Sequence, residues 1–289
     1  MRFDSEFLKT LDQLRFASTR VFSGSGRGDR RGRHRGHGVE FADYRAYAQG
    51  DDFRHVDWKA YRRLNRLLLR LFDEDQDLRI HLFLDASGSM ALHGKFDYAV
   101  RIAAALCYVG LTNLDRVSLM PFDDRLGLGT STGNATHTMG RIFELLERLT
   151  ADGRTDLWQS ISEFASRPTR AGLAVVISDF LDPVGCERPL ALLSSRGHEV
   201  IGVHLVAEED RLEPDAFGEL ELVDAETSER RRIDITPGLL SAYAQAWRAF
   251  DAGIAAACAK SQAGYVKVDT AAPFERTVLH TFRIGRLLE

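Results

Sequence analysis

Two stretches of this sequence, LRIHLFLD (residues 78–85) and GLAVVISDF (residues 172–180), are almost continuously apolar, and each runs into an aspartate, Asp85 or Asp179. A strand that is apolar on both faces has to be covered on both faces, as in the middle of a parallel sheet with helices on either side. The covering elements are present. KFDYAVRIAAALCYVGL (95–111), MGRIFELLERL (139–149), LWQSISEFAS (157–166), ERPLALLSSRG (187–197, closed by its glycine) and LLSAYAQAWRAFDAGIAAACAKSQ (239–262) have the spacing of amphipathic helices. RVSLMPF (116–122), HEVIGVHLVA (198–207), the pair GELELVD and RRIDI around TSE, and the short YVKVDT (265–270) read as further strands. Alternating strands and helices predict an α/β fold with a doubly wound, mostly parallel sheet. Such sheets bind ligands beyond the carboxyl ends of their strands, where both aspartates lie.

The remainder divides the chain in two. Residues 3–22 carry an apolar stripe (Phe3, Phe7, Leu8, Leu11, Leu14, Phe16) that predicts a helix. SGSGRGDRRGRHRGHG (23–38) holds no apolar residue and reads as a loop or arm. VEFADYRAYAQGDDFRHVDWKAYRRLNR follows, with aromatics interleaved among charges. Residues 1–65 are expected to be an N-terminal extension packed on a main domain at 66–289. LLLRLF and LRIHLFLD, separated by the acidic DEDQD, are expected to form a hairpin, and Trp58 to bury most of its ring as an anchor.

Around the two strand ends sits a set of hard oxygen donors. Asp85 is followed by Ser87 and Ser89 at alternate positions, Thr155 lies in the loop DGRTDL, and Asp179 ends the second strand. Carboxylates and hydroxyls of this kind suit Mg²⁺, which keeps near-octahedral oxygen coordination and some water. Each residue also has a plain structural role open to it. The serines are candidate helix caps, and Thr155 or Asp156 a cap for the helix starting at Leu157.

The DxSxS at Asp85, Ser87 and Ser89, with Thr155 and Asp179 following in order, resembles the metal-ion-dependent adhesion site of the von Willebrand factor A-like fold, over about Leu78 to Gly264. That resemblance implies a sheet domain whose Mg²⁺ (with Mn²⁺ or Ca²⁺ as substitutes) keeps one position for an acidic side chain of a partner. It implies a binding module rather than an enzyme. The block at 40–58, through Glu40, Asp43, Arg45, Tyr47, Gly50, Asp51, Arg54, Asp57 and Trp58, is similar to the signature of a bacterial family of unknown function carried just upstream of such a domain. Tyr61-Arg62-Arg63 departs from that pattern. The family resemblance implies a partner: a MoxR-type AAA+ ATPase, a client protein, or both, with this chain as adaptor or co-chaperone. Glu40, Asp43, Arg45, Arg54, Asp57 and Trp58 are then candidate partner-binding residues, or else an ion-paired cluster that merely fixes the block.

Two other classes stay open. Mg²⁺ held by aspartates also serves phosphodiester hydrolysis, with Asp123, Asp124 and Asp156 as extra carboxylates near the rim. Against it, there is no GxxxxGK[ST] phosphate loop and no GxSxG elbow. The arginines at 27–35 offer phosphate contacts, with no aromatic platform for bases, and His34 with His37 lacks a third metal ligand. A formal net charge of -4 gives no global drive toward nucleic acid or an anionic membrane. The three widely spaced cysteines, the absence of a secretory signal and the absence of any bilayer-length apolar run lead to the expectation of a cytoplasmic protein with reduced thiols.

Overall fold

The computed structural model describes residues 5–17, 40–47, 56–73, 78–130, 135–210 and 218–289. They fall into two compact units, one of Met1–Arg20 with Leu78–Glu289 and the other of Val21–Asp77. The arm at 23–38, and Gly50, Asp51 and Arg54 of the signature block, lie outside the described residues.

In the smaller unit, β1 (Glu40–Ala46) pairs antiparallel with β2 (Leu68–Asp73), with a register irregularity between Phe41 and Asp43. Glu40, Asp43 and Arg45 therefore belong to a strand. Between them lies α2 (Trp58–Leu64). Its N-cap is Asp57, whose carboxylate accepts from the backbone N–H groups of Lys59 and Ala60, both at 2.9 Å. This satisfies donors that the first helical turn leaves orphaned. The helix stops at Asn65, which takes the left-handed conformation (φ 51°). Trp58 corrects an expectation: it is 55% exposed, meeting Tyr61 edge-to-face at 6.2 Å. As the first residue of a short helix it projects away from the side that buries Ala60.

The larger unit begins with α1 (Ser5–Leu11). The helix is shorter than its apolar stripe predicts, because the following residues are drawn into an extended pairing. Arg15 exchanges two backbone hydrogen bonds with Glu289 (3.1 and 2.9 Å), and Ala17 donates to Leu287 (3.0 Å). The sheet consists of β3 (Arg79–Asp85), β4 (Arg116–Phe122), β5 (Leu173–Ser178), β6 (Glu199–Val206) and β9 (Gly264–Asp269), in the order β4-β3-β5-β6-β9. All four pairings are parallel. The expected hairpin between β2 and β3 does not form. Both edges of β3 are taken by β4 and β5, so β2 has no edge to join there.

Helices cover both faces, as the doubly apolar strands require. α3 (Lys95–Thr112) runs along β3 and β4 on one face, with α4 (Ala135–Arg148) packed beside it. α5 (Leu157–Ser166), α6 (Glu187–Ser195) and α7 (Pro237–Lys260) pack on the other, closing a core that includes Phe83, Phe122, Ile161, Phe164, Val176, Leu190, Leu193 and Ile254. This is the doubly wound, mostly parallel α/β architecture that the alternation of strands and helices predicts. Edge strand β4 is partly covered where the chain returns, through bridges from Phe122 to Leu126 and from Leu119 to Thr130. β7 (Gly218–Val223) and β8 (Arg230–Ile235) form a separate antiparallel hairpin. All three cysteines are free and buried. No helix among the described residues is long and apolar enough to cross a membrane.

Candidate metal centre at the carboxyl ends of the strands

β3 delivers Asp85 to the carboxyl edge of the sheet, fully buried, and the chain turns at once. The turn is shaped by Asp85 itself, whose Oδ1 accepts from the backbone N–H of Ser87 at 3.0 Å. Its Oδ2 accepts from the Ser178 hydroxyl at 2.5 Å. From Gly88 to Gly94 the chain makes short 3-10 turns, interrupted at Leu92 and His93, before α3 begins at Lys95. Ser87 is the residue before those turns, yet its side chain makes no capping bond. Its hydroxyl instead lies 3.1 Å from that of Ser89, which donates to Asp179 Oδ1 at 3.3 Å. Asp85, Ser87, Ser89 and Asp179, ninety-odd residues apart in two groups, are thus joined through one set of buried hydrogen bonds.

Thr155 arrives on a neighbouring loop. Two backbone bonds attach that loop to the Asp85 turn: Asp152 N–H to Ala86 O at 2.9 Å, and Gly88 N–H to Gly153 O at 3.0 Å. Asp156 N–H donates to Asp123 O at 3.0 Å, so Asp123 also borders this edge. Asp156 caps α5 through its carboxylate and Gln159 N–H at 2.7 Å, leaving Thr155 free of that task. The Thr155 side chain is not bonded to the serines. Its hydroxyl donates to Glu226 Oε1 at 2.8 Å and its N–H to Glu226 Oε2 at 3.1 Å.

The electrostatics are those of two acids held together out of water. Burial, and then the negative charge of Asp179, push the Asp85 carboxyl up to about 7, against the opposing pull of the Ser178 and Ser87 donors. A cation is already built in nearby. Lys95, fully buried, places its ammonium 2.7 Å from Asp179 Oδ2 and 3.2 Å from Asp210 Oδ1. Asp210 is fixed in turn by Ala207 N–H on its other oxygen, at 2.9 Å.

Lys95, Ser178 and Glu226 are contacts that the sequence reading does not single out. Lys95 has a signal: a lysine in the first turn of a helix opposes the helix dipole, and an acidic partner is the usual compensation. Ser178 sits beside Asp179 in the sequence but points to Asp85. Glu226 has no local signal, because its partner is far away in the chain.

The donor set fits a hard divalent cation. It offers two carboxylates and three hydroxyls, and it has none of the imidazole or thiolate ligands that favour softer metals. Among the described residues, no three His, Cys, Asp or Glu side chains gather as a metal cluster. A cation here would therefore depend on the hydroxyls of Ser87, Ser89 and Thr155 alongside Asp85 and Asp179.

Several known proteins are similar to this chain. In fold, it is similar to a conserved hypothetical protein, BatB, from Bacteroides thetaiotaomicron, with a TM-score of 0.45 and 14% identity over 72% of this chain and 98% of that one. It is also similar to the SpRpn10 VWA domain, with a TM-score of 0.41 and 12% identity over 73% of this chain and 98% of that one. In sequence, it is 31% identical over 259 residues to the uncharacterized protein Rv1480 of Mycobacterium tuberculosis, spanning 87% of this chain and 81% of that protein. Residues 43–252, which include the end of β1, the whole candidate centre and most of α7, match the family model described as "Protein of unknown function DUF58". With a match over most of its length and a relative of this identity, the chain belongs to the DUF58 family.

Proposed function

We propose that this chain is a binding module rather than an enzyme, and that its grip on a partner runs through a Mg²⁺ ion held by Asp85, Ser87, Ser89, Thr155 and Asp179. The ion would supply positive charge in a cleft of lowered dielectric, where an acidic side chain from another protein is favoured. The chain's own residues define the rest: Ser178 and the Ser87 N–H orient Asp85, and Lys95 orients Asp179. The observation that carries the reading is the joining of Asp85, Ser87, Ser89 and Asp179 at one edge of the sheet, with hydroxyls turned to one another instead of to helix caps. The partner we propose is a MoxR-type AAA+ ATPase, a client that it remodels or matures, or both. The signature block around Asp57 and the exposed Trp58 is the second docking face in this reading.

The test is a pull-down from native lysate with the tagged chain, in Mg²⁺ and then in EDTA, alongside Asp85→Ala. Recovery of an AAA+ ATPase or a defined client only in Mg²⁺, lost in Asp85→Ala, is the expected result. Partners unchanged by EDTA and by the substitution would overturn the metal-dependent reading. Mg²⁺-dependent cleavage of a model phosphodiester, lost in Asp85→Ala, would instead make the chain an enzyme.

A further inference from the structure

The rim of the candidate centre already holds a carboxylate from this chain. It comes from the turn between β7 and β8, which is shaped by its own side chains. Asp224 Oδ1 accepts from the backbone N–H groups of Glu226 (3.0 Å) and Thr227 (2.7 Å) and from the Thr227 hydroxyl (2.7 Å). Those donors hold the Asp224 carboxyl below its ordinary range, the Thr227 hydroxyl most of all.

Two separate contacts seat this turn on the site. The Glu226 carboxylate takes both the hydroxyl and the N–H of Thr155, one on each oxygen. The Ala225 carbonyl oxygen lies so close to Gly88 that a Cβ at that position would stand 2.7 Å from it. Gly88 is the middle residue of the Ser87-Gly88-Ser89 step, so the absent side chain makes room for the hairpin backbone. Along β7 the apolar Leu220, Leu222 and Val223 are all substantially exposed, whereas Ile235 at the end of β8 is buried. Among the described residues the hairpin's strands pair only with each other. The polar grip on Thr155 and the close approach at Gly88 both hold the tip at the site.

We propose that Glu226 is the centre's resident carboxylate, standing in for the acidic side chain of a partner, so that a partner acid has to displace the β7–β8 tip to engage. This rests on the reading of the centre as a cation site. It also narrows the partner, which must present an aspartate or glutamate on a segment able to enter where a two-stranded hairpin turn now sits. A purely structural role for Glu226, holding Thr155 in place, predicts weaker cation binding with no added water on the ion.

Mn²⁺ is the probe, because it reports both its affinity and the number of water molecules on it. Calorimetry and water-proton relaxation would be run on the full chain as wild type, Glu226→Ala, Glu226→Gln and Asp85→Ala. With Glu226 at the ion, both Glu226 variants should bind Mn²⁺ roughly tenfold more weakly, the size of effect seen when groups around a metal site are removed. Each bound ion should also relax water more strongly, as solvent enters the vacated position. Unchanged relaxation per bound ion in both Glu226 variants, whatever the affinity, with binding lost in Asp85→Ala, would overturn the role of Glu226 and leave the cation site standing. No Mn²⁺ binding by wild type or by either Glu226 variant would overturn both.

Discussion

Replacing Lys95 with methionine isolates the charge at the heart of the centre. The ammonium is fully buried, 2.7 Å from Asp179 and 3.2 Å from Asp210, and methionine keeps most of the apolar stem while removing the charge. The two carboxylates then lie within about 6 Å of each other with no counter-charge, a repulsion of about 3 kcal/mol at an effective dielectric near 20. Removing one partner of a buried pair typically costs about 3–5 kcal/mol, and the estimate for Lys95→Met falls in that range. Urea unfolding in EDTA, followed by circular dichroism, measures it. A double-mutant cycle with Asp179→Asn should return a coupling above about 1 kcal/mol, since the two groups touch. Mg²⁺ should then stabilise Lys95→Met more than it stabilises wild type, because the ion supplies the missing charge. At a concentration one hundred times its dissociation constant, a bound ligand adds about 2.7 kcal/mol. A loss below about 1 kcal/mol in EDTA, with no coupling to Asp179, would refute the claim that Lys95 is the electrostatic keystone of this edge.

Two other perturbations read different parts of the molecule. His81 and His204 are each pushed down to about 4, chiefly by burial, so the folded state resists their protonation. Their stabilising effect is complete above the ordinary pKa of 6.5 and is lost as pH falls from there toward 4, by about 2 kcal/mol per ring at pH 5. Urea midpoints from pH 8 to pH 5 should fall accordingly, and His81→Phe should flatten the slope; equal slopes would show that His81 does not contribute. Trp58→Ala should change stability by less than about 0.5 kcal/mol, as for an exposed position, where a buried tryptophan would cost about 3–5 kcal/mol. A large loss on urea unfolding would restore Trp58 as an anchor.

The sheet was legible because its strands are buried on both faces and leave continuous apolar runs, and because α3, α5, α6 and α7 keep a helical period. Asp85, Ser87, Ser89 and Asp179 were legible for a related reason: a polar residue that ends an apolar strand has a defined address at the sheet's carboxyl edge. What escaped was set by competition over distance. β2 looked like the partner of β3, but an apolar strand pairs wherever an edge is free, and both edges of β3 were taken by distant segments. α1 stopped early because residues 15–17 found backbone partners at 287–289. A tryptophan's large ring favours burial, but in α2 the buried position is Ala60, and Trp58 stays exposed. Glu226 had to be seen in space, since nothing near it in the chain points to Thr155. The arm and Arg54 lie outside the described residues.

The pairing of Phe16 with Leu288 sets an order of events during synthesis. Leu11, Leu14 and Phe16 are buried in the finished domain, yet residues 287–289, which hold that segment in place, are translated only after the whole sheet. At ribosomal speeds of about 5–20 residues per second, the N-terminal segment waits on the order of tens of seconds for its partner. During that interval its apolar side chains have no finished seat. They are open to capture by a holding chaperone, or to wrong pairing with the same segment on a neighbouring nascent chain. The extended pairing of residues 15–17 is thus a late step of folding, since its backbone partners at 287–289 are synthesised after β9.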